Sequence, residues 1–257
     1  MPSHPPLRAI LFDIYGTLLR SSAGETHPDP SLRALIEKAH AASPHPFPEV
    51  DIREIHAAIH PELSQEEIER LAMEHEQAVN PVRAMPGAVE TLRALSSRGL
   101  MLGLVSNAQF YTVPVLESCL GDSLSNLGID PGLCVFSYLE RRAKPDVHLF
   151  DIVRERLLER RIQPQEVLYV GNDVRNDIDP AKTAGFRTFA GEVVKSHGER
   201  LIADFLYLSG VNYRYEQPYS VDVADARYSQ YRPDFYYPDI DVWHEHWALD
   251  RDGNPPA

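Results

Sequence analysis

Short apolar runs that stop at a polar residue set the pattern of this chain. Leu7 to Phe12 ends at Asp13 and is followed by Gly16 and Thr17; Met101 to Val105 ends in Ser106-Asn107; Val167 to Val170 ends in Gly171-Asn172-Asp173. Runs of this length, bounded by turn residues, read as buried parallel strands that deliver chemistry at their C-terminal ends. Helical patterns lie between them. Val89, Leu92 and Leu95 recur at helical spacing after Pro86-Gly87, with Gly99 as the stop, and Pro145 opens a second helix whose apolar side is Leu149, Phe150, Val153, Leu157 and Leu158. Alternating strands and helices predict an α/β, Rossmann-like, doubly wound parallel sheet with its site at the strand C-termini.

Residues 21–84 interrupt the alternation and contain no convincing strand. They hold a helical stretch near Leu32 to Ala39 and the capping box Ser64-x-x-Glu67 ahead of Ile68, Leu71 and Ala72, bounded by proline-rich joints at Pro44 to Pro48 and near Pro81. A small helical insert is expected, either a lid or a packed decoration. Beyond about Gly191 the character changes. A helix-like stretch, Ser196 to Leu208, is followed by strand-like pieces around Tyr213 to Tyr219, Asp234 to Tyr237 and Val242 to Trp247. The expected division is a core of 1–20 plus 85–191, a helical insert of 21–84, and a short α+β unit of 192–257.

Composition narrows the class without naming a reaction. The 257 residues are 43% hydrophobic and 25% charged, ordinary for a globular chain, and no run reaches the roughly 18 apolar residues a spanning helix needs. With no signal-peptide core between Met1 and Phe12, a cytoplasmic protein with no membrane partner is expected. The net charge of −13 argues against coating nucleic acid by bulk charge, and the two cysteines, Cys119 and Cys134, build neither a disulfide framework nor a metal site. Oligomeric state is not legible. The histidines of the insert, His40, His56, His60 and His75, read as surface or satisfied groups rather than ligands.

The strand ends supply Asp13, then Ser106 with Asn107, then Lys144 beside Pro145, then Asp173 and Asp177. Through Asp13-Ile14-Tyr15-Gly16-Thr17, Val105-Ser106-Asn107, Lys144-Pro145-Asp146 and Gly171-Asn172-Asp173 with Asp177, the chain from about Leu7 to Ala190 resembles the haloacid dehalogenase (HAD) superfamily, and the insert falls where that superfamily places its helical C1-type cap. The resemblance implies a phosphatase acting on a small phosphorylated metabolite, with Asp13 attacking phosphorus to give an aspartyl-phosphate and Lys144 neutralising nucleophile and phosphate. It further implies that Thr17, Ser106 and Asn107 contact phosphate, with Arg175 either binding it or bracing its loop, and that Asp173, Asp177, Asp13 and the carbonyl of Tyr15 hold Mg²⁺. Three carboxylates, one ammonium and Mg²⁺ then sum to zero.

Tyr15 departs from the phosphatase pattern, which carries a second Asp there as acid and base; the dehalogenase branch carries Tyr. Metal-independent 2-haloacid dehalogenation is therefore the competing expectation, and simple packing of the ring under the insert is a third. Electrostatics favours the metal: an unscreened pair of carboxylates costs about 4 kcal/mol at 4 Å with an effective dielectric of 20.

From about Val194 the chain resembles the nuclease-like segment of helicase IV-type superfamily 1 DNA helicases, through Lys195-Ser196-His197-Gly198-Glu199, Tyr213-x-Tyr215-Glu216-x-Pro218-Tyr219, Tyr231-Arg232-Pro233-Asp234-Phe235 and Glu245-His246-Trp247. The resemblance implies a truncated restriction-endonuclease-like domain, with Asp234 and Glu245 as its metal pair and Trp247 where the catalytic lysine belongs. Nucleic acid is expected as a partner only through this unit. No Gly-x-x-x-x-Gly-Lys-Ser/Thr phosphate loop is present.

Overall fold

A computed structural model describes residues 5–21, 30–188, 199, 202–203, 206, 211–221, 223–224 and 230–246. Residues 22–29, which follow the first motif, most of the stretch 196–208, and Trp247 lie outside the described residues. Contacts divide the chain into two units, Met1–Gly191 and Glu192–Ala257.

The first unit is built on a parallel sheet. Its strands are β1 (Ala9–Phe12), β4 (Met101–Ser106), β5 (Ile129–Phe136), β6 (Val167–Val170) and β7 (Arg187–Thr188), in the order β5-β4-β1-β6-β7. All four residues of β1 are buried, and the alternation of the strand splits them between two cores. Ala9 and Leu11 pack with Val105, Phe150, Val153 and Tyr169 on one face, while Ile10 and Phe12 pack with Leu92, Leu102, Leu104 and Leu116 on the other. Burial on both faces is why these runs are apolar throughout. The chain leaves β1 for β4 on one side and returns to β6 on the other, so the crevice at the C-terminal end of β1 is the topological switch point. Asp13 sits there.

The expected helices form as α4 (Ala88–Ser97) and α7 (His148–Glu159), the latter burying Leu149, Phe150, Val153 and Leu157. In the insert are α1 (Pro30–Ala42), α2 (Ile52–Ile59) and α3 (Gln65–Val79), and α3 opens on the Ser64/Glu67 capping box. Leu32, Val50, Ile52, Ile55 and Ala72 make a separate small core there, joined by Tyr111 from the sheet-side loop.

The expectation of no strand in 21–84 is corrected. Here β2 (Leu19–Ser21) and β3 (Val82–Ala84) pair antiparallel, Ser21 opposite Val82 and Leu19 opposite Ala84, so the insert leaves and returns through one ribbon. Three residues per strand are too few to show an alternation. Further elements carry no clear pattern in the sequence, among them α2, β5, whose run is broken by Pro131-Gly132, α5 (Thr112–Leu120) and α6 (Ser137–Glu140), while α8 (Asp179–Thr183) closes the loop after β6.

In the second unit β8 (Arg214–Tyr215), β9 (Phe235–Tyr237) and β10 (Val242–His244) form an antiparallel sheet in the order β10-β9-β8. The strands are shorter than the aromatic stretches suggested, since Glu216 takes a positive φ directly after β8. Phe235 is fully buried, with Tyr213 and Tyr215 meeting it edge to face. Among the described residues no helix is long and apolar enough to cross a membrane.

Candidate active site

A cavity of about 820 Å³ opens at the C-terminal ends of β1, β4 and β6 and is walled on its other side by the insert. Asp13, Tyr15, Asn107, Lys144, Asp173, Arg175 and Asp177 line it; Thr17 and Ser106 do not.

The centre is Lys144. Its ammonium is buried, donates to Asp13 Oδ1 at 2.7 Å, and makes a second, shorter hydrogen bond to Asp177 Oδ1. Burial alone would lower this lysine, but the charges of Asp13 and then Asp177 outweigh it and hold the ammonium above its ordinary value. Burial pushes the Asp13 carboxyl up; Lys144 pulls it back, and the neighbouring Asp177 charge pushes it up again. Oδ1 of Asp13 also accepts from the Ser106 hydroxyl at 2.8 Å, while among the described residues no donor reaches Oδ2. One oxygen is thus fixed and the other is available.

Two of the expected site residues are held by protein groups in this geometry. Ser106, expected to donate to a phosphoryl oxygen, is 1% exposed and donates to Asp13, so it fixes the orientation of that carboxylate. Asp177, expected among the metal ligands, accepts from Lys144 and Tyr169 on Oδ1 and from the backbone N–H groups of Asn172 and Asp173, at 3.1 and 3.0 Å, on Oδ2. Its carboxylate therefore anchors both Lys144 and the loop that carries Asp173. Gly171 permits this, since a Cβ there would lie 2.5 Å from the Asp177 carboxyl carbon. The hydroxyl of Thr17 is buried without a hydrogen-bond partner among the described residues.

Asn107 acts on the backbone: its Oδ1 accepts from Lys144 N at 2.7 Å and its Nδ2 donates to Lys144 O at 3.3 Å, beside the cis Lys144–Pro145 bond. Tyr15 directs its hydroxyl to Thr112 Oγ1 at 3.2 Å, and burial pushes its phenol up to about 12. At neutral pH it keeps its proton. Gly16 follows with φ +84°, a conformation that strains a side chain, and a Cβ there would strike Asn172.

Several lining or supporting residues had no signal in the motifs. Tyr169, inside the apolar run of β6, donates to Asp177 at 2.9 Å or to Val105 O at 3.0 Å, and accepts from Lys144 at 3.3 Å. Its one polar atom in a buried strand was the clue. Tyr169→Phe is expected to lower unfolding free energy by about 1 kcal/mol in urea titrations, since both acceptors keep Lys144. Gln109 ties the insert down, accepting from Ile52 N at 2.9 Å and donating to Val50 O at 2.8 Å.

For a metal, the donor set matters more than a count of acids. Among the described residues no three His, Cys, Asp or Glu side chains converge to hold an ion by themselves. Available oxygens do exist: Asp13 Oδ2, the Tyr15 carbonyl, and Asp173, whose Oδ1 caps the turn at Asn176 N and whose Oδ2 meets no donor among the described residues. Two carboxylates and a carbonyl suit Mg²⁺, a hard cation that keeps several waters and takes few protein ligands.

In the second unit Asp234 and Glu245 flank β9 and β10. Asp234 Oδ2 accepts from His246 N at 2.7 Å and Glu245 from the Tyr231 hydroxyl at 2.8 Å. Both are engaged with protein donors.

A family model described as haloacid dehalogenase-like hydrolase matches residues 7–185. The chain is 36% identical over 120 residues to a phosphoglycolate phosphatase of Vibrio vulnificus, covering 46% of this chain and 48% of that protein. It is 35% identical over 111 residues to the phosphoglycolate phosphatase of Escherichia coli, covering 39% and 36%. The match thus spans about half, or less, of these relatives. Among solved structures, a predicted HAD-like family hydrolase of Porphyromonas gingivalis aligns with a TM-score of 0.51 at 16% identity, covering 79% of this chain and 98% of that one, a likeness of fold.

Proposed function

The chain belongs to the haloacid dehalogenase-like hydrolases, and from that premise we propose that it is a Mg²⁺-dependent phosphatase of small phosphate monoesters. One observation carries this reading: among the described residues Lys144 and Ser106 hold a single oxygen of Asp13 and leave the other without a donor, in a cavity also lined by Asp173, whose Oδ2 is uncommitted. A bare anionic attacker beside a second carboxylate suits an anionic substrate only with a cation between them. Asp13, Asp173 and the Tyr15 carbonyl would hold Mg²⁺, which supplies charge neutralisation for the phosphoryl group.

The chain's own residues then divide the work. Asp13 Oδ2 attacks phosphorus as the ester P–O bond breaks, forming an aspartyl-phosphate that water hydrolyses to free phosphate. Lys144 keeps Asp13 ionised and oriented, Ser106 fixes its rotamer, and Arg175, exposed at the rim and in no ion pair among the described residues, meets the phosphoryl oxygens. Tyr15 can donate a proton but is a poor base at neutral pH, given a phenol near 12. Lacking the second Asp, the site should favour leaving groups that need little protonation.

The test is phosphate release from p-nitrophenyl phosphate and an alkyl phosphate, with Mg²⁺ and with EDTA. Chelation should abolish turnover and Mg²⁺ restore it, and the aryl ester should lead by about 10²–10⁴-fold. Halide release from a 2-haloacid in EDTA, with no phosphate release, would overturn the reading in favour of dehalogenation.

A further inference from the structure

The insert's wall of the cavity carries two carboxylates that the proposed phosphoryl chemistry does not use. Glu76, in the last turn of α3, accepts from Asn80 Nδ2 at 2.8 Å and from the Tyr111 hydroxyl at 3.1 Å. Glu49 accepts from the Ser137 hydroxyl at 2.8 Å and from Val50 N at 2.9 Å, with Gln109 Nε2 at 3.5 Å. Every one of these donors is neutral.

Cations are near, and the charges of His40 and Arg141 reach Glu49, but among the described residues neither forms an ion pair with it. Arg53 pairs with Asp51 and Glu69, and Arg141 pairs with Glu54. Among the described residues neither Glu49 nor Glu76 is in an ion pair, and the only Lys or Arg lining the cavity are Lys144 and Arg175, both at the sheet side. Half-buried carboxylates whose hydrogen-bond donors are all neutral leave part of their charge to be balanced from the cavity. Tyr15, Tyr111 and Phe47 line the same cavity, and aromatic faces favour a cation over an anion. Tyr111 adds no charge of its own, because burial raises its phenol far above the ordinary value.

We propose that this wall recognises a positively charged organic group, so that the substrate is the phosphate monoester of an amino alcohol, with its ammonium between Glu76 and Glu49 and its phosphate at Asp13. The proposal rests on the phosphatase reading above and deepens it. The reaction consumes one water: the P–O bond to the alcohol breaks, the amino alcohol leaves with a proton, and phosphate is released. A carboxylate-bearing ester of similar size, such as phosphoglycolate, would direct its anion toward the same two carboxylates.

The full-length chain with Mg²⁺ is assayed on ethanolamine phosphate and phosphoglycolate, with p-nitrophenyl phosphate as the general ester. Wild type is expected to prefer ethanolamine phosphate in kcat/KM by about tenfold or more, the scale of one charge contact in a sheltered site. Glu76→Gln should remove most of that preference by raising KM for ethanolamine phosphate more than it lowers kcat, and Glu49→Gln should shift it in the same direction. Equal or inverted preference in wild type, alongside Asp13-dependent turnover of p-nitrophenyl phosphate, overturns this inference and leaves the phosphatase reading standing. A preference unchanged in both variants overturns it too, and if neither variant folds the wild-type ratio decides. No phosphate release from any ester removes both.

Discussion

Lys144→Met is expected to lower the unfolding free energy by about 3–5 kcal/mol, because it leaves two buried carboxylates facing each other with no cation between them. For a protein of this size that is a fall in Tm of roughly 6–20 °C, read by differential scanning calorimetry. The loss should be reversed in part by a second substitution, Asp177→Asn, which removes one of the stranded charges; a double-mutant cycle gives the coupling. The sign with pH follows from the direction of the shift. Asp13 and Asp177 hold the ammonium above its ordinary 10.5, so its contribution is complete below that value and is lost only as pH climbs through the higher folded one. The gap between wild type and variant should therefore stay flat across about pH 7–9. A variant that melts within a degree or two of wild type would show that Lys144 is solvated and that the buried triad does not exist.

What the sequence disclosed, and what it hid, divides along the same line as burial. The runs ending at Asp13, Ser106 and Asp173 were legible because β1, β4 and β6 are buried by helices on both faces, which demands continuous apolar residues up to the polar group at the sheet's rim. That placed Asp13, Ser106 and Asp173 at one rim, while Lys144 and Asp177 were added by the motifs that carry the family resemblance. The edge strand β5 was hidden, since Pro131 and Gly132 are tolerated where one side of a strand is unpaired. The orientation of each side chain was hidden as well. Whether Ser106 reaches toward a ligand or toward Asp13, and whether Asp177 holds a metal or Lys144, depends on rotamers that spacing does not encode. Glu49, Glu76 and Gln109 were silent for a different reason: they come to the cavity through the docking of the insert and of the 107–111 loop, a tertiary event with no periodic trace. The helices of the insert could be read, but the face that α3 turns to the cavity could not.

Asp13→Asn should abolish turnover, with kcat/KM down on the order of 10⁴-fold or more, since an amide oxygen in place of the carboxylate cannot form the phosphorylated intermediate. Its effect on stability should be opposite in kind to that of Lys144→Met. Burial holds the Asp13 carboxyl above its ordinary value of 3.8, which means the fold disfavours the ionised form relative to the unfolded chain. For an acid with a raised folded pKa, the ionisation present at neutral pH costs stability, and the cost grows as pH rises from the unfolded value through the folded one. Asparagine removes that charge, keeps an oxygen for the Ser106 and Lys144 donors, and leaves the ammonium paired with Asp177. The variant is therefore expected to melt at or above the wild-type temperature near pH 7, the pattern of a site kept reactive at the expense of the fold. Calorimetry and phosphate release on one preparation separate the two residues: Asp13→Asn inactive but intact, Lys144→Met inactive and weakened. Retention of more than a small fraction of activity by Asp13→Asn, on well-folded material, would remove Asp13 as the nucleophile and the phosphoenzyme route with it.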